Sequence, residues 1–300
     1  MSFMQAHIGE VAALASAICF TLNAIVFESA GKNVGSMAVN YLRLFIGFVF
    51  LSVFSFFARG IAFPIDATGH AYLWLFISGL LGLVLGDMFL FQAFVEIGSR
   101  IALLIMSAAP PITALLGFVL LEERIAPLGL LGIAVTMTGI FLVILSKNPE
   151  EKKVEFNRPI RGLVFASLGA LGQALGLVFS KLGIGSYNAL AATQIRLIAA
   201  FIGLSIIITV RKQWPEIGES FHHKRALGEI TLGSFLGPFA GVALSLLAVQ
   251  HTATGIVSSL SSISPVVIIP FSIMVFKEKV LPREVLGAVI SIIGIVILFL

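Results

Sequence analysis

Apolar residues run through this chain in long blocks, and polar residues gather in the short gaps between them. A helix crosses the hydrocarbon core of a bilayer with about 20 apolar residues. Ten blocks approach that length: 11–27, 38–58, 72–95, 101–121 and 125–146, then 163–180, 189–210, 230–249, 252–276 and 285–300. The pattern predicts an all-α integral membrane protein with ten transmembrane helices. Two blocks, the second and the seventh, carry an arginine each, Arg43 and Arg196. No Lys or Arg precedes the first block, and nothing like a small-residue cleavage site follows it, so it reads as a first helix and not as a cleaved leader.

The longest polar stretches are 147–161 and 211–225. The first holds Pro149 and Pro159 and reads as a linker between two like halves, 1–146 and 162–300. The likeness is internal. Ser107-Ala-Ala-Pro110 leads through an apolar run to Glu122-Glu123-Arg124, and Ser262-Ile-Ser-Pro265 leads likewise to Lys277-Glu278-Lys279. Pro110 and Pro265 stand 155 residues apart, as do Glu123 and Glu278, Pro127 and Pro282, Gly132 and Gly287, Gly139 and Gly294, Gly82 and Gly237, and Gly86 and Gly241. Nearer the start of each half the offset is 153, pairing Arg43 with Arg196 and Gly9 with Gly162. Five helices per half is an odd number, so the second half must enter the bilayer from the opposite side. The expected architecture is two inverted five-helix repeats, a plan used by many secondary transporters.

Composition agrees with the blocks. The chain is 58% hydrophobic and only 11% charged, against about 25% charged in a soluble domain. The single cysteine, Cys19, rules out an internal disulfide and packs as a small apolar residue. His7, His70, His222, His223 and His251 all fall at or outside block ends, so neither a metal site nor a cofactor is expected. A net charge of +4 does not point to nucleic acid, because the cations sit in short connections between apolar blocks.

Polar groups inside the blocks are the candidate chemistry, since each ionisable one costs roughly 2.5–3.5 kcal/mol at mid-helix. Asp87 lies about eight residues, or about 12 Å, from the end of its helix, and Arg43 enters from the same side to a similar depth. Two readings stand: a structural Arg43–Asp87 ion pair, or an Asp87 carboxylate that alternately takes a proton and a substrate amine. Arg196 has Val242 where Arg43 has Asp87. It either reaches back to the interface or faces a cavity and receives an anionic group. Asn23 and Gln173 map to one helix face in the two halves, to line a pathway or to bond between helices. Gln194 and Gln250 read as interfacial. Pro110, Pro111, Pro265 and Pro270 interrupt helix hydrogen bonding in the fourth and ninth blocks, as structural or gating kinks. The triads Gly79-Gly82-Gly86, Gly169-Gly172-Gly176 and Gly233-Gly237-Gly241 form ridges for close helix packing.

The paired Pro-to-Glu stretches 110–123 and 265–278, the glycines after them, and the pairs Arg43-Leu44 and Arg196-Leu197 resemble the EamA-type members of the drug/metabolite transporter superfamily, over nearly the whole chain. The resemblance implies a ten-helix basket with a central cavity that exports or takes up small polar metabolites such as amino acids. It also implies cytoplasmic termini, whereas the cation count argues the reverse. Arg59, Arg124 and Lys181 fall on the N-terminal side and fourteen Lys or Arg residues on the other. By the cation count both termini lie outside a plasma-membrane protein. The partners expected are a small-molecule substrate and membrane lipids, with protons joining if Asp87 titrates. Flipping of a lipid or lipid-linked sugar is the rival within transport. An integral-membrane enzyme is disfavoured, because no acidic cluster for Mg²⁺ and no Ser/His/Asp set is present. A scaffold would have no use for the repeat.

Overall fold

In the computed structural model the described residues are 7–97, 105–106, 108–145, 160–263, 266–267 and 282–298, and they are helical nearly throughout. The first half holds α1 (Ile8–Val34), α2 (Ser36–Arg59), a long helix α3, α4 (Ala109–Leu121) and α5 (Pro127–Leu145). Helix α3 runs as Gly69–Gly79, a π-helical turn Leu80–Gly86, and Asp87–Ile97. The second half holds α6 (Ile160–Ile184), α7 (Ala189–Arg211), a short helix Trp214–Ser220, a long helix α8, α9 (Thr254–Ser261) and α10 (Pro282–Leu298). Helix α8 runs as Lys224–Ser234, a π-helical turn Phe235–Gly241, and Val242–His251.

Local chemistry sets the ends. Thr68 accepts from the Ala71 N–H at 3.2 Å to start α3, and Asn188 accepts from the Leu190 and Ala191 N–H groups to start α7. Gly60, at φ 72°, closes α2 in the left-handed conformation that glycine adopts without strain.

Five helices among the described residues are long and apolar enough to cross a membrane: Met37–Arg59, Gly69–Leu90, Ile160–Ile184, Ala189–Arg211 and Lys224–His251. Ile8–Asn23, Ala109–Leu121, Pro127–Leu142 and Val285–Ile297 are apolar but shorter. The blocks expected at 101–121 and 252–276 lie partly outside the described residues, as does Pro265. Large apolar side chains such as Phe57, Leu115, Ile206 and Val210 stand exposed on the outside, where hydrocarbon and not water is the fitting neighbour.

Packing between the halves is exchange-symmetric. Helix α1 packs on α8 as α6 packs on α3. Helix α2 meets α8 as α7 meets α3, and α4 meets α6 as α9 meets α1. The remaining elements face their own counterparts: α2 on α7, α4 on α9, α5 on α10. This is the reciprocity of an isologous interface, here inside one chain. The α5–α10 crossing shows it at atomic level. A Cβ on Gly139 would overlap Ser291, and a Cβ on Gly294 would overlap Thr136. Gly139 and Gly294 are repeat mates, and so are Thr136 and Ser291.

The two π-helical turns are also repeat mates, each lying 155 residues from the other. A π turn widens the helix by one residue and frees backbone groups. Pro238 inside the second turn gives it a local cause. In the first there is no proline; there the glycines admit α6 to backbone contact, with a Cβ on Gly172 only 2.8 Å from Gly86 Cα and one on Gly176 only 2.7 Å from Gly82 Cα.

Pro110 and Pro111 occupy the first turn of α4, where a missing N–H costs no bond within that helix.

Candidate functional site

A cavity of about 340 Å³ lies between the halves, within the size range of small-molecule sites. Asn23 of α1, Arg43 of α2, Asp87 of α3, Gln173 of α6 and Arg196 of α7 all line it. Much of the remaining wall is apolar, including Phe20, Leu83, Leu177, Leu197, Pro238 and Val242, and Ser245, Ser258 and Ser262 add hydroxyls.

Each polar group is delivered by a local feature. Asp87 is the first residue after the π turn of α3. Its Oδ2 accepts from Arg43 Nη2, and its Oδ1 accepts from Gln173 Nε2 at 2.7 Å. Gln173 Nε2 also donates to the Gly82 carbonyl at 3.3 Å. Arg43 donates from Nε to Asn40 Oδ1 at 2.8 Å, and its guanidinium lies 5.7 Å from the Phe27 ring centroid. The carboxylate is thus held by one cation from its own half and one amide from the other, so each of its oxygens has a partner.

Arg196 is built differently. It is 5% exposed, so it does not reach the interface. Its Nε has no hydrogen-bond partner, and no described residue makes an ion pair with it. Asp87 lies within electrostatic reach, but its hydrogen bonds go to Arg43 and Gln173 and none comes from Arg196. The Arg196 backbone abuts α3: a Cβ on Gly79 would lie 2.5 Å from the Arg196 carbonyl oxygen. Its Nη2 lies beside Gly82, 3.3 Å from where a Cβ would stand. Asn23 Oδ1 is likewise buried without a partner, and its amide rests against Gly237.

Toward the N-terminal face, a polar clasp joins the two halves. Lys181, one turn beyond Leu177 on α6, pairs with Glu123 at 2.6 Å and donates to the Thr252 carbonyl at 2.8 Å. Glu123 accepts from the Thr254 N–H at 2.9 Å and hydroxyl at 2.7 Å, and Thr252 donates to Glu10 at 2.6 Å. Farther out, Asp66 accepts from Arg59 and from the Tyr187 hydroxyl at 2.8 Å. The Tyr187 bond, then Arg59, hold the Asp66 carboxyl below the ordinary aspartate range. Burial and the Asp66 charge push the Tyr187 phenol up.

The five polar residues singled out from the sequence therefore meet at one cavity. Three things escaped that reading. Gln173 is bonded to Asp87 across the halves. The serines of α8 and α9 join the wall. Gln194 is fully buried, not interfacial, and ties α7 to the α2–α3 region through Ser52 Oγ at 3.1 Å and the Ala62 carbonyl at 2.7 Å. The paired glycines at 82, 86, 237 and 241 were the available signal for the π turns that place Asp87 and Val242.

A multi-helix membrane bundle with a charged cavity between two like halves is the build of a membrane carrier. The family comparison agrees with that class. The chain matches the EamA-like transporter family twice, over residues 7–145 and 160–300, and it belongs to that family. It is 25% identical over 288 residues to an uncharacterized transporter of Archaeoglobus fulgidus, covering 96% of each chain. A solved crystal structure of another protein shares the fold at a TM-score of 0.71 and 14% identity, over 96% of this chain and 95% of that one. The protein is a multi-pass membrane protein of a transporter family.

Proposed function

We propose that the protein is a secondary transporter of small polar metabolites such as amino acids, working by alternating access around the central cavity. The observation that carries this reading is the cavity's position. It lies between halves whose contacts are exchange-symmetric, and it gathers buried charged and amide groups from both. On this reading the chain crosses the membrane ten times, as inverted repeats 1–146 and 162–300 joined by the linker 147–161. Rocking one repeat against the other would open the cavity to each face in turn.

The clasp of Glu123, Lys181, Thr252 and Thr254 joins the halves on the N-terminal face. With that face outside, as the cation count argues, a clasp there would bar the exterior side and substrate would enter from the cytoplasm, as an exporter requires. Reporter fusions after Lys153 should read cytoplasmic and those after Arg59 external; the reverse pattern would invert the proposed direction. The transport test is uptake of a metabolite panel into proteoliposomes, preceded by thermal stabilisation of the purified protein. At least one member should both stabilise the protein and be accumulated. A folded protein that moves none of the panel would sink the proposal.

A further inference from the structure

We propose that the cavity takes its substrate by a carboxylate group, with Arg196 as the counter-ion. This deepens the transport reading above and rests on it. A guanidinium presents five donors and no acceptor, and a buried charge without a partner is costly. Arg43 meets that cost within the protein, through Asn40 and Asp87. Arg196 makes no hydrogen bond and no ion pair among the described residues, although it is 5% exposed and lines the same cavity. Its repeat-equivalent partner position holds Val242. A planar guanidinium matches a carboxylate in a two-point bond, so the missing partner is supplied by the ligand.

The other polar groups narrow the class further. The Asp87 charge is already compensated by Arg43 and its other oxygen accepts from Gln173, so a substrate ammonium finds no unpaired carboxylate there. The apolar wall of Phe20, Leu83, Leu177, Pro238 and Val242 suits a hydrocarbon portion and would leave a bare inorganic anion poorly solvated. Glycine at 82 keeps the guanidinium's berth open, since a Cβ there would press on Nη2 at 3.3 Å. The ligand is therefore a small organic acid with an apolar body, in which an amino group is tolerated but not required.

The test uses the purified full-length protein and probes of one shape: 4-methylpentanoate, its neutral amide 4-methylpentanamide, the amine 3-methylbutylamine, leucine, and inorganic phosphate as a bare anion. The two carboxylates should raise Tm, and the amide, the amine and phosphate should not. Arg196→Gln should abolish the shift, and Arg196→Lys should restore part of it. Without ligand, Arg196→Gln should unfold no lower than wild type, because no bond made by the protein is lost. The proposal is overturned if the amide or amine stabilises as well as the acid, if phosphate alone does so, if neither carboxylate binds, if Arg196→Gln keeps the shift, or if that variant lowers the ligand-free Tm. Flux into proteoliposomes separates the two readings. Carboxylate binding without flux would defeat the transport reading and leave this site standing. Flux of the amine or amide without carboxylate preference would do the opposite.

Discussion

The α3–α6 and α1–α8 crossings occupy equivalent places in the two halves, yet they are made of different matter. In the first, glycines of α3 meet glycines of α6 backbone to backbone, at Gly82 with Gly176 and Gly86 with Gly172. In the second, Gly233, Gly237 and Gly241 of α8 receive the side chains of Phe27, Asn23 and Phe20 from α1. The tight crossing brings Gln173 onto Asp87 and so completes the Arg43 network. The looser one leaves Asn23 Oδ1 without a partner on the cavity wall, while Arg196 of α7 stands beside α3 with no hydrogen bond of its own among the described residues. The same scaffold occurs twice, but only the first half carries the Arg–Asp pair; the second has Val242 where the first has Asp87.

The two halves differ most at Asp87. Asp87→Asn should destabilise the protein by about 3–5 kcal/mol, because Arg43 loses its carboxylate in a buried site. The double change Arg43→Gln with Asp87→Asn should recover most of that loss in thermal unfolding. A double variant that folds well but has lost a pH dependence of transport would instead make Asp87 the coupling carboxylate.

Packing is the next largest difference. Gly176→Ala sets a Cβ against the Gly82 backbone and should cost about 1–3 kcal/mol. Gly237→Ala meets the end of the Asn23 side chain at 2.5 Å, which can move, and should cost less. Equal losses in the two variants would mean that the crossings are equally rigid.

Val242→Asp would give Arg196 the partner that Arg43 already has. It should leave the fold intact and weaken binding of 4-methylpentanoate at least about tenfold, roughly 1.4 kcal/mol, while Val242→Asn should weaken it less. Full binding by Val242→Asp would show that Arg196 is not the counter-ion.

The smallest effect lies outside the membrane. The Asp66 carboxyl is held low by Tyr187 and Arg59, so its contribution is present above the ordinary aspartate pKa, about 3.9, and fades as pH falls through the lower folded value. It is an exposed group, so only a slight acid-side loss of stability is expected. Asp66→Asn should remove that loss, and an unchanged acid limb would show that Asp66 does not hold the α2–α3 loop to Tyr187.

Much of the site was legible because polar residues in apolar blocks are costly and therefore few. Asn23, Arg43, Asp87, Gln173 and Arg196 stand out for that reason alone, and the structure gathers them at one cavity. Their partners were less legible. Gln173 reaches Asp87 from the other half, 86 residues away, and no local pattern encodes that meeting. Arg196 lies near enough to a helix end to have reached the surface, but α3 packs over it. That Pro110 and Pro111 fall in the first turn of α4 was not legible either, because an apolar block does not reveal where within it a helical segment starts.

The order of apolar blocks, the duplication and the scarcity of buried charge follow from the sequence alone, because they are properties of composition and period. Which charge is satisfied, and which is left open to a ligand, was decided only by tertiary structure. Hydrogen bonds across halves depend on how closely two helices approach, and that distance is set by glycines on one helix facing side chains, or other glycines, on another.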